Sequence, residues 1–342
     1  MPSTPKRSPR ASGRVTLEDV ARLAEVSTIT ASRALRGTRA VDPELVERVR
    51  RAAAQLHYVP DPAARALASQ RSTNVVVLIP LLTNALFVEL LEAVQRQLQP
   101  QGLQTLIGVT HYDADEEEQL LRSYLAHRPA GLLVTGFDRT RESRRMIEAS
   151  GVPCVHLMET SSQPGQYSVG LSQQDAARAL TEHLLARGRR RIAYIAGQLD
   201  PRVMQRRQGW EQALRAAGCH DPALELLEPA PTSMAQGSRL FEACPARPPD
   251  VDAMFFCNDY LAQGALLAAM RLKVPVPERV AVVGFNDLGG SELMVPPLTT
   301  VRTPRARIGA EAAAMLLALM RGEPVPRPAL DLGFELVVRQ SS

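Results

Sequence analysis

The apolar residues of this chain change their period once, near Thr73, and that change divides whatever the chain folds into. Before it they recur every three to four positions: Leu17, Val20, Ala21 and Ala24, then Ala31 and Leu35, then Val46, Val49, Ala53 and Leu56. Such spacing is the stripe of an amphipathic helix. It predicts three short helices, the second over 28–35 and the third over 43–56, with no strand among them. After Thr73 short apolar runs at 75–81, 103–109, 130–135, 152–157, 191–196, 252–257 and 279–285 alternate with helical stretches, including 87–99, 259–272 and 304–321. That rhythm belongs to parallel βαβ units covered on both faces. A stretch of this length is long for one sheet and predicts two α/β lobes.

Charge follows the same division. Residues 1–72 hold 13 Lys and Arg against 7 Asp and Glu, whereas the rest of the chain holds 27 against 29. A basic head on a slightly acidic body is the asymmetry of a nucleic-acid-binding module joined to something else. Lys6, Arg7, Arg10 and Arg14 lie in a Ser- and Pro-rich arm over 1–14, which reads equally as a solvated tail or as an arm that touches DNA. The sequence shows no apolar run of membrane-span length and no secretory apolar segment behind the first charges, so the expected location is cytoplasmic, with no membrane partner. Cys154, Cys219, Cys244 and Cys257 form no C-x-x-C pair, and the six histidines form no ligand spacing, so no metal is expected. A nucleophile elbow, a Walker A loop and a G-x-G-x-x-G fingerprint are all missing, so no cofactor and no catalytic residue is nominated.

The first two helices carry more detail. Thr16 is a candidate N-cap with Asp19 three residues on, a capping-box spacing. Val26 is the apolar residue of a tight turn, and Ser27 caps the second helix. Thr28, Ile29, Ser32 and Arg33 then face outward. Two short helices joined by a tight turn, with polar side chains opening the second, suit the DNA major groove. A three-helix bundle without a ligand fits the pattern equally well.

The ordered motifs T-L-x-D-V-A at 16–21, V-S at 26–27, Thr30, S-R at 32–33, Leu35, Gly37, Arg48-Val49, Leu56, Tyr58, Pro60 and Ala64-Arg65 resemble the DNA-binding head of the LacI/GalR family of bacterial repressors. The resemblance implies that Thr28 and Ile29 read base edges, that Arg33 reaches bases or backbone, and that Thr30 and Ser32 contact backbone or support the helix. Thr16, Ser27, Tyr58 and Arg65 complete the implied DNA-binding set. Leu67 matches the family's hinge leucine, which wedges between base pairs in the minor groove; an ordinary linker helix is the other reading of 58–72. Two positions depart from the pattern: Glu25 stands in place of the turn glycine, and Ala31 in place of a valine.

The body resembles the same family's effector-binding core, which is similar to periplasmic sugar-binding proteins. The motifs are Cys257-Asn258-Asp259, Val283-Gly284-Phe285-Asn286-Asp287, Pro296-Pro297-Leu298-Thr299-Thr300-Val301 and Ile308-Gly309. The implied architecture is an all-α helix-turn-helix head over 15–57, a linker over 58–72, and a two-lobed α/β core over 73–342. One lobe would combine 73–168 with 302–328, the other 169–301 with 329–342. Ligand would sit between the lobes at the carboxyl ends of strands. Matched positions nominate Leu86, Phe87, Thr135, Met158, Glu159, Arg202, Arg206, Asn258, Asp259 and Asn286, with the two arginines clamping a carboxylate or phosphate. For Asp259 and Asp287, helix N-capping is an equal reading.

Leu82-Thr83-Asn84, Leu157-Met158, Ala193-Tyr194-Ile195 and Leu330-Asp331-Leu332-Gly333-Phe334 bring the resemblance nearest to the gluconate-type repressors. It implies a homodimer on a near-palindromic operator in double-stranded DNA, released by a sugar acid such as gluconate or 2-ketogluconate. Three further readings are a regulator of another sugar or phosphosugar, an α/β enzyme acting on a sugar acid, and a plain solute-binding protein.

Overall fold

A computed structural model of the chain describes residues 15–36, 41–59, 72–243 and 251–342. It divides after Ser72 into two compact units.

In the first unit, α1 (Leu17–Leu23), α2 (Thr28–Arg36) and α3 (Pro43–Gln55) follow the helical stripes. Thr16 and Asp19 form the capping box in full, each side chain accepting the other's backbone N–H. Asp42 caps α3 ahead of Pro43 at its first position. The helices close on Val20, Ala21, Ala24, Ala31, Ala34, Val49 and Ala52, with Leu17, Val26, Leu35, Val46, Leu56 and Tyr58 packed around them. Ala34, rather than Leu35, is the fully buried residue of α2's last turn. Alanines at the centre let three short helices approach closely. Between α1 and α2, Glu25 donates to Arg22 O and Val26 donates to Ala21 O, the pairing of a Schellman cap. Glu25 takes the left-handed position of that cap, at φ 51°.

The second unit holds two parallel sheets. The first is ordered β11-β5-β4-β3-β1-β2, built from β1 (Asn74–Ile79), β2 (Gln104–Val109), β3 (Gly131–Thr135), β4 (Cys154–Met158), β5 (Tyr167–Gly170) and β11 (Ala329–Asp331). Helices α4 (Ala85–Leu98), α5 (Ala114–Ala126), α6 (Arg141–Ser150) and α11 (Arg305–Met320) belong to this lobe, and α11 packs along α4 and across β3 to β5. The second sheet, β7-β6-β8-β9, is built from β6 (Ile192–Gly197), β7 (Glu225–Glu228), β8 (Ala253–Phe256) and β9 (Ala281–Val283). Around it lie α7 (Gln173–Ala186), α8 (Pro201–Ala216), α9 (Met234–Ala243) and α10 (Asp259–Leu272). An antiparallel pair, β10 (Thr300–Arg302) with β12 (Glu335–Val337), completes the strands.

The seven apolar runs all became strands, whereas β5, β7, β10, β11 and β12 were not foreseen. These five are three or four residues long, and all but β5 and β10 lack a fully buried residue. Their place is set by pairing with neighbours rather than by their own hydrophobicity. Two lobe boundaries shift by two or three residues. Ala329–Asp331 pairs with Ser168–Gly170 in the first sheet, so the final crossover follows Asp331 instead of preceding residue 329, and the earlier one follows Gly170 instead of residue 168.

Helices α7 and α8 lie unusually close, because Gly209 sits where any Cβ would strike the backbone of Gln174 and Arg178. Trp210, the chain's single tryptophan, is buried beside it and donates its Nε1–H to Ile192 O at 3.1 Å.

Candidate functional site

On the head, Ser27 caps α2 by accepting from Thr30 N at 3.1 Å, and its hydroxyl also meets Thr30 Oγ1 at 2.8 Å. This cap turns the first α2 residues outward. Thr28 and Arg33 are exposed, Ile29 is 66% exposed, and Thr30 and Ser32 are half-buried. An isoleucine left that open on a small domain is available for contact with a thymine methyl or another apolar edge. Thr16 is exposed but engaged in its capping box, and Tyr58 packs half-buried against the three-helix core. Arg65 and Leu67 lie outside the described residues.

In the body, the nominated residues gather at the carboxyl ends of the strands, and several of those ends are strained. Met158 ends β4 at φ 74°, Gln198 follows β6 at φ 53°, and Asn286 and Asp287 follow β9 at φ 108° and 49°. Left-handed conformations at non-glycine residues are costly, and they collect where a backbone is held for function. Leu86 and Phe87 are buried in the first turn of α4, below an Asn84 cap. Thr135 ends β3 and donates to Leu78 O at 3.0 Å.

The two arginines on α8 have different surroundings. Arg202 is 5% exposed and reaches across to the other lobe, where its Nη1 lies 3.1 Å from Asp138 Oδ1 and 3.0 Å from Glu159 Oε2. Its Nε lies 3.2 Å from Asp200 Oδ1, the residue that caps α8. Burial opposes its charge, but Asp200, Asp138 and Glu159 together outweigh that and hold the guanidinium more firmly protonated than usual. Glu159 also accepts from Gln205 Nε2 at 2.7 Å. The half-buried ring of Tyr112 lies 6.0 Å from Arg202, and burial raises its hydroxyl's pKa.

Arg206, one turn further along and also 5% exposed, makes no ion pair among the described residues. Its Nε donates to Gln173 Oε1 at 2.9 Å, its Nη1 donates to Cys257 O at 2.6 Å, and it stacks 3.9 Å over the Phe285 ring. Burial pushes its pKa down, with Asp200 the largest opposing influence. Gln173 is itself fixed, donating to Met158 O at 3.1 Å. The expectation of a double arginine clamp is corrected here: three carboxylates already occupy Arg202, and Arg206 alone holds a buried charge with neutral partners.

The other nominated polar residues are engaged as well. Asn258 is the α10 N-cap, accepting from Leu261 N at 3.1 Å. Asp259 is wholly buried, and its oxygens accept from Leu288 N at 2.6 Å, Ser291 Oγ at 2.9 Å and Thr300 Oγ1 at 2.7 Å. Burial raises its pKa to about 6, against the pull of those three donors. Asp259 therefore ties residues 288–300 to α10, and Asn258 rather than Asp259 is the helix cap. Asn286 is buried and its Oδ1 accepts from Thr303 Oγ1 at 3.1 Å. Asp287 pairs with Arg302 and Arg339 rather than capping a helix.

Beneath the cleft lies a buried pair that sequence reasoning missed. Arg139 Nε meets Glu117 Oε1 at 2.7 Å, and its Nη2 donates to Gly136 O at 3.0 Å. His156 stacks on Phe137 at 4.2 Å, and its Nδ1 lies 3.1 Å from Arg139 Nη1. Burial, helped by Arg139, lowers the His156 pKa to about 4, so the ring is neutral near pH 7. Also missed were Tyr112, Asp138, Gln173, Asp200 and Gln205. Only Asp200, ahead of Pro201, carries a local signal, that of an N-cap. No group of three or more His, Cys, Asp or Glu among the described residues is placed to hold a metal, and no helix among them is long and apolar enough to cross a membrane.

A helix-turn-helix head joined to a two-lobed α/β core, with strand ends and a buried arginine between the lobes, defines a ligand-responsive DNA-binding regulator. Residues 16–61 match the model of bacterial regulatory proteins of the lacI family, and residues 181–342 match the periplasmic binding protein-like domain. The chain is 57% identical to the HTH-type transcriptional regulator GntR of Pseudomonas aeruginosa, over 98% of each chain. It is similar to the crystal structure of transcription regulator GntR from Chromobacterium violaceum, at 48% identity and a TM-score of 0.77, covering 79% of this chain and 99% of that one. It is similar also to the lac repressor dimer bound to operator and the anti-inducer ONPF, at 27% identity and a TM-score of 0.84, covering 96% and 99%. The chain belongs to the LacI family of bacterial transcriptional regulators.

Proposed function

We propose that this regulator is a homodimeric repressor that binds a near-palindromic operator and is released from it by a sugar acid of the gluconate or 2-ketogluconate class. Arg206 carries the effector class. A buried guanidinium held only by an amide oxygen, a carbonyl and a ring face lacks a counter-ion, and a carboxylate supplies one. Met158, Thr135, Asn258 and Asn286 stand at strand ends around the cleft, where a polyhydroxy chain finds hydrogen-bonding partners, and Leu86 and Phe87 give it an apolar wall. On the head, Thr28, Ile29 and Arg33 carry base readout, while Thr16, Ser27, Thr30, Ser32, Tyr58 and Arg65 position it and Leu67 wedges the minor groove.

Calorimetric titration of the full chain with gluconate, 2-ketogluconate, 6-phosphogluconate and neutral hexoses tests this reading. Sugar acids are expected to bind, and Arg206→Met is expected to lose them by about a hundredfold or more, the scale of a stranded charge pair. Binding of neutral sugars or purines alone overturns the effector class. A gel shift in which gluconate tightens operator binding overturns the release.

A further inference from the structure

We propose that Asp138 and Glu159 act as an internal competitor of the effector: they hold Arg202 in the place of an external carboxylate and so weaken the binding of any anion to the cleft. The inference deepens the sugar-acid reading and rests on it.

Three observations lead to it. First, the ion pairs span the lobes. Arg202 belongs to α8 of the second lobe, whereas Asp138 follows β3 and Glu159 follows β4 in the first. The two lobes are thus fastened to each other by the protein's own charges. Second, the cluster is over-compensated. Arg202 meets three carboxylates, so these four side chains carry a surplus of negative charge one helical turn from Arg206. The Arg202 side chain is 6% exposed, Glu159 8% and Asp200 8%, with Asp138 more open at 28%, so water screens most of the surplus poorly. Third, the cluster is tightly packed where Nη1 of Arg202 meets its acids. Gly136, at φ 65°, lies where a Cβ would strike Arg202, Asp138 and Glu159 together. A ligand carboxylate reaches Nη1 or Nε of Arg202 only by displacing one of its own acids.

The expected sign is opposite to that of an effector contact. If Glu159 receives effector hydroxyls, removing its charge weakens binding. If it competes, removing its charge strengthens it. The surplus also explains why such a variant folds: in Glu159→Gln, Arg202 keeps Asp200 and Asp138, and in Asp138→Asn it keeps Asp200 and Glu159. Neither change strands the guanidinium.

The test is calorimetric titration of wild type, Glu159→Gln and Asp138→Asn with gluconate, at low and at high salt. One unit charge removed from a partly desolvated cleft corresponds to about tenfold in affinity. Each variant is expected to bind gluconate about tenfold more tightly than wild type, with most of the gain kept at high salt because the charges are buried. Thermal unfolding identifies a variant that fails to fold, and the other then decides. Unchanged or weaker gluconate binding by a folded variant overturns the competitor. No gluconate binding by any of the three proteins overturns the sugar-acid reading beneath it. Binding by the variants alone supports the competitor in its strongest form.

Discussion

Glu25 offers a test of whether the head is strained where its sequence departs from a glycine. It occupies the left-handed position of the Schellman cap that ends α1, at φ 51°, and its side chain is exposed. A residue with a Cβ gives up about 1–2 kcal/mol there. Glycine removes that cost but loses more backbone freedom on folding, returning about 0.5–1 kcal/mol. Glu25→Gly is therefore expected to stabilise the head by about 0.5–1 kcal/mol. In a domain of this size that corresponds to a shift of about 2–8 °C in its melting temperature. Charge complicates the comparison, because a carboxylate near a helix C-terminus opposes the helix dipole, a small and salt-screened effect at an exposed site. Glu25→Ala separates the two, removing the charge and keeping the Cβ. Hydrogen exchange of the Ala24 and Val26 amides in the full chain reads local stability. Slower exchange in Glu25→Gly than in Glu25→Ala supports backbone strain. Equal exchange in the two variants refutes it, and no slowing in either refutes the dipole term as well.

Three further outcomes are expected. Arg139→Met leaves Glu117 buried without its partner and destabilises the core by about 3–5 kcal/mol, read by urea unfolding; a loss under 1 kcal/mol shows that the pair is dispensable. His156 titrates at about 4 in the folded state against about 6.5 unfolded, so its share of stability is present above pH 6.5 and is lost as pH falls to 4. The shift corresponds to about 3 kcal/mol, so wild type should lose about that much more stability than His156→Asn between pH 7 and 4. Parallel pH profiles for the two proteins contradict the buried neutral ring. Arg33→Ala should weaken operator binding by about 1–3 kcal/mol if the side chain reads a base, and equal affinity for all operator variants removes that role.

The head was legible because its signals are local. Thr16 with Asp19, Ser27 ahead of Thr28, and apolar residues at helical spacing each lie within a few positions of what they specify. Seven strands, β1 to β4, β6, β8 and β9, were legible from their own apolar runs. Glu225–Glu228 was not, since E-L-L-E becomes a strand only by lying beside β6. At the cleft, Arg206 was found by its place ahead of Gly209-Trp210. Arg202 was found by the same place and misread, because its partners Asp138 and Glu159 lie 64 and 43 residues away. A side chain's availability for a ligand depends on which neighbours have already claimed it, and the fold alone brings those neighbours together. Asp259 was read as a helix cap for the same reason, its three donors lying 29 to 41 residues further on.

The crossovers between the lobes also have a mechanical consequence. The chain passes between them after Gly170, after Arg302 and after Asp331, and the last passage is bonded to both of the others. Asp331 pairs with Gly170 and Leu332 N donates to Gly170 O at 2.9 Å, while Glu335 pairs with Arg302 in both backbone and side chain. The last passage is thus tied at its start to the first, through β11 and β5, and at its end to the second, through β12 and β10. Passages tied in this way move together, so the lobes have fewer independent motions than three separate linkers would allow. Whatever binds between the lobes therefore acts on a coupled set of passages, and the number of distinct lobe arrangements it can select is correspondingly small.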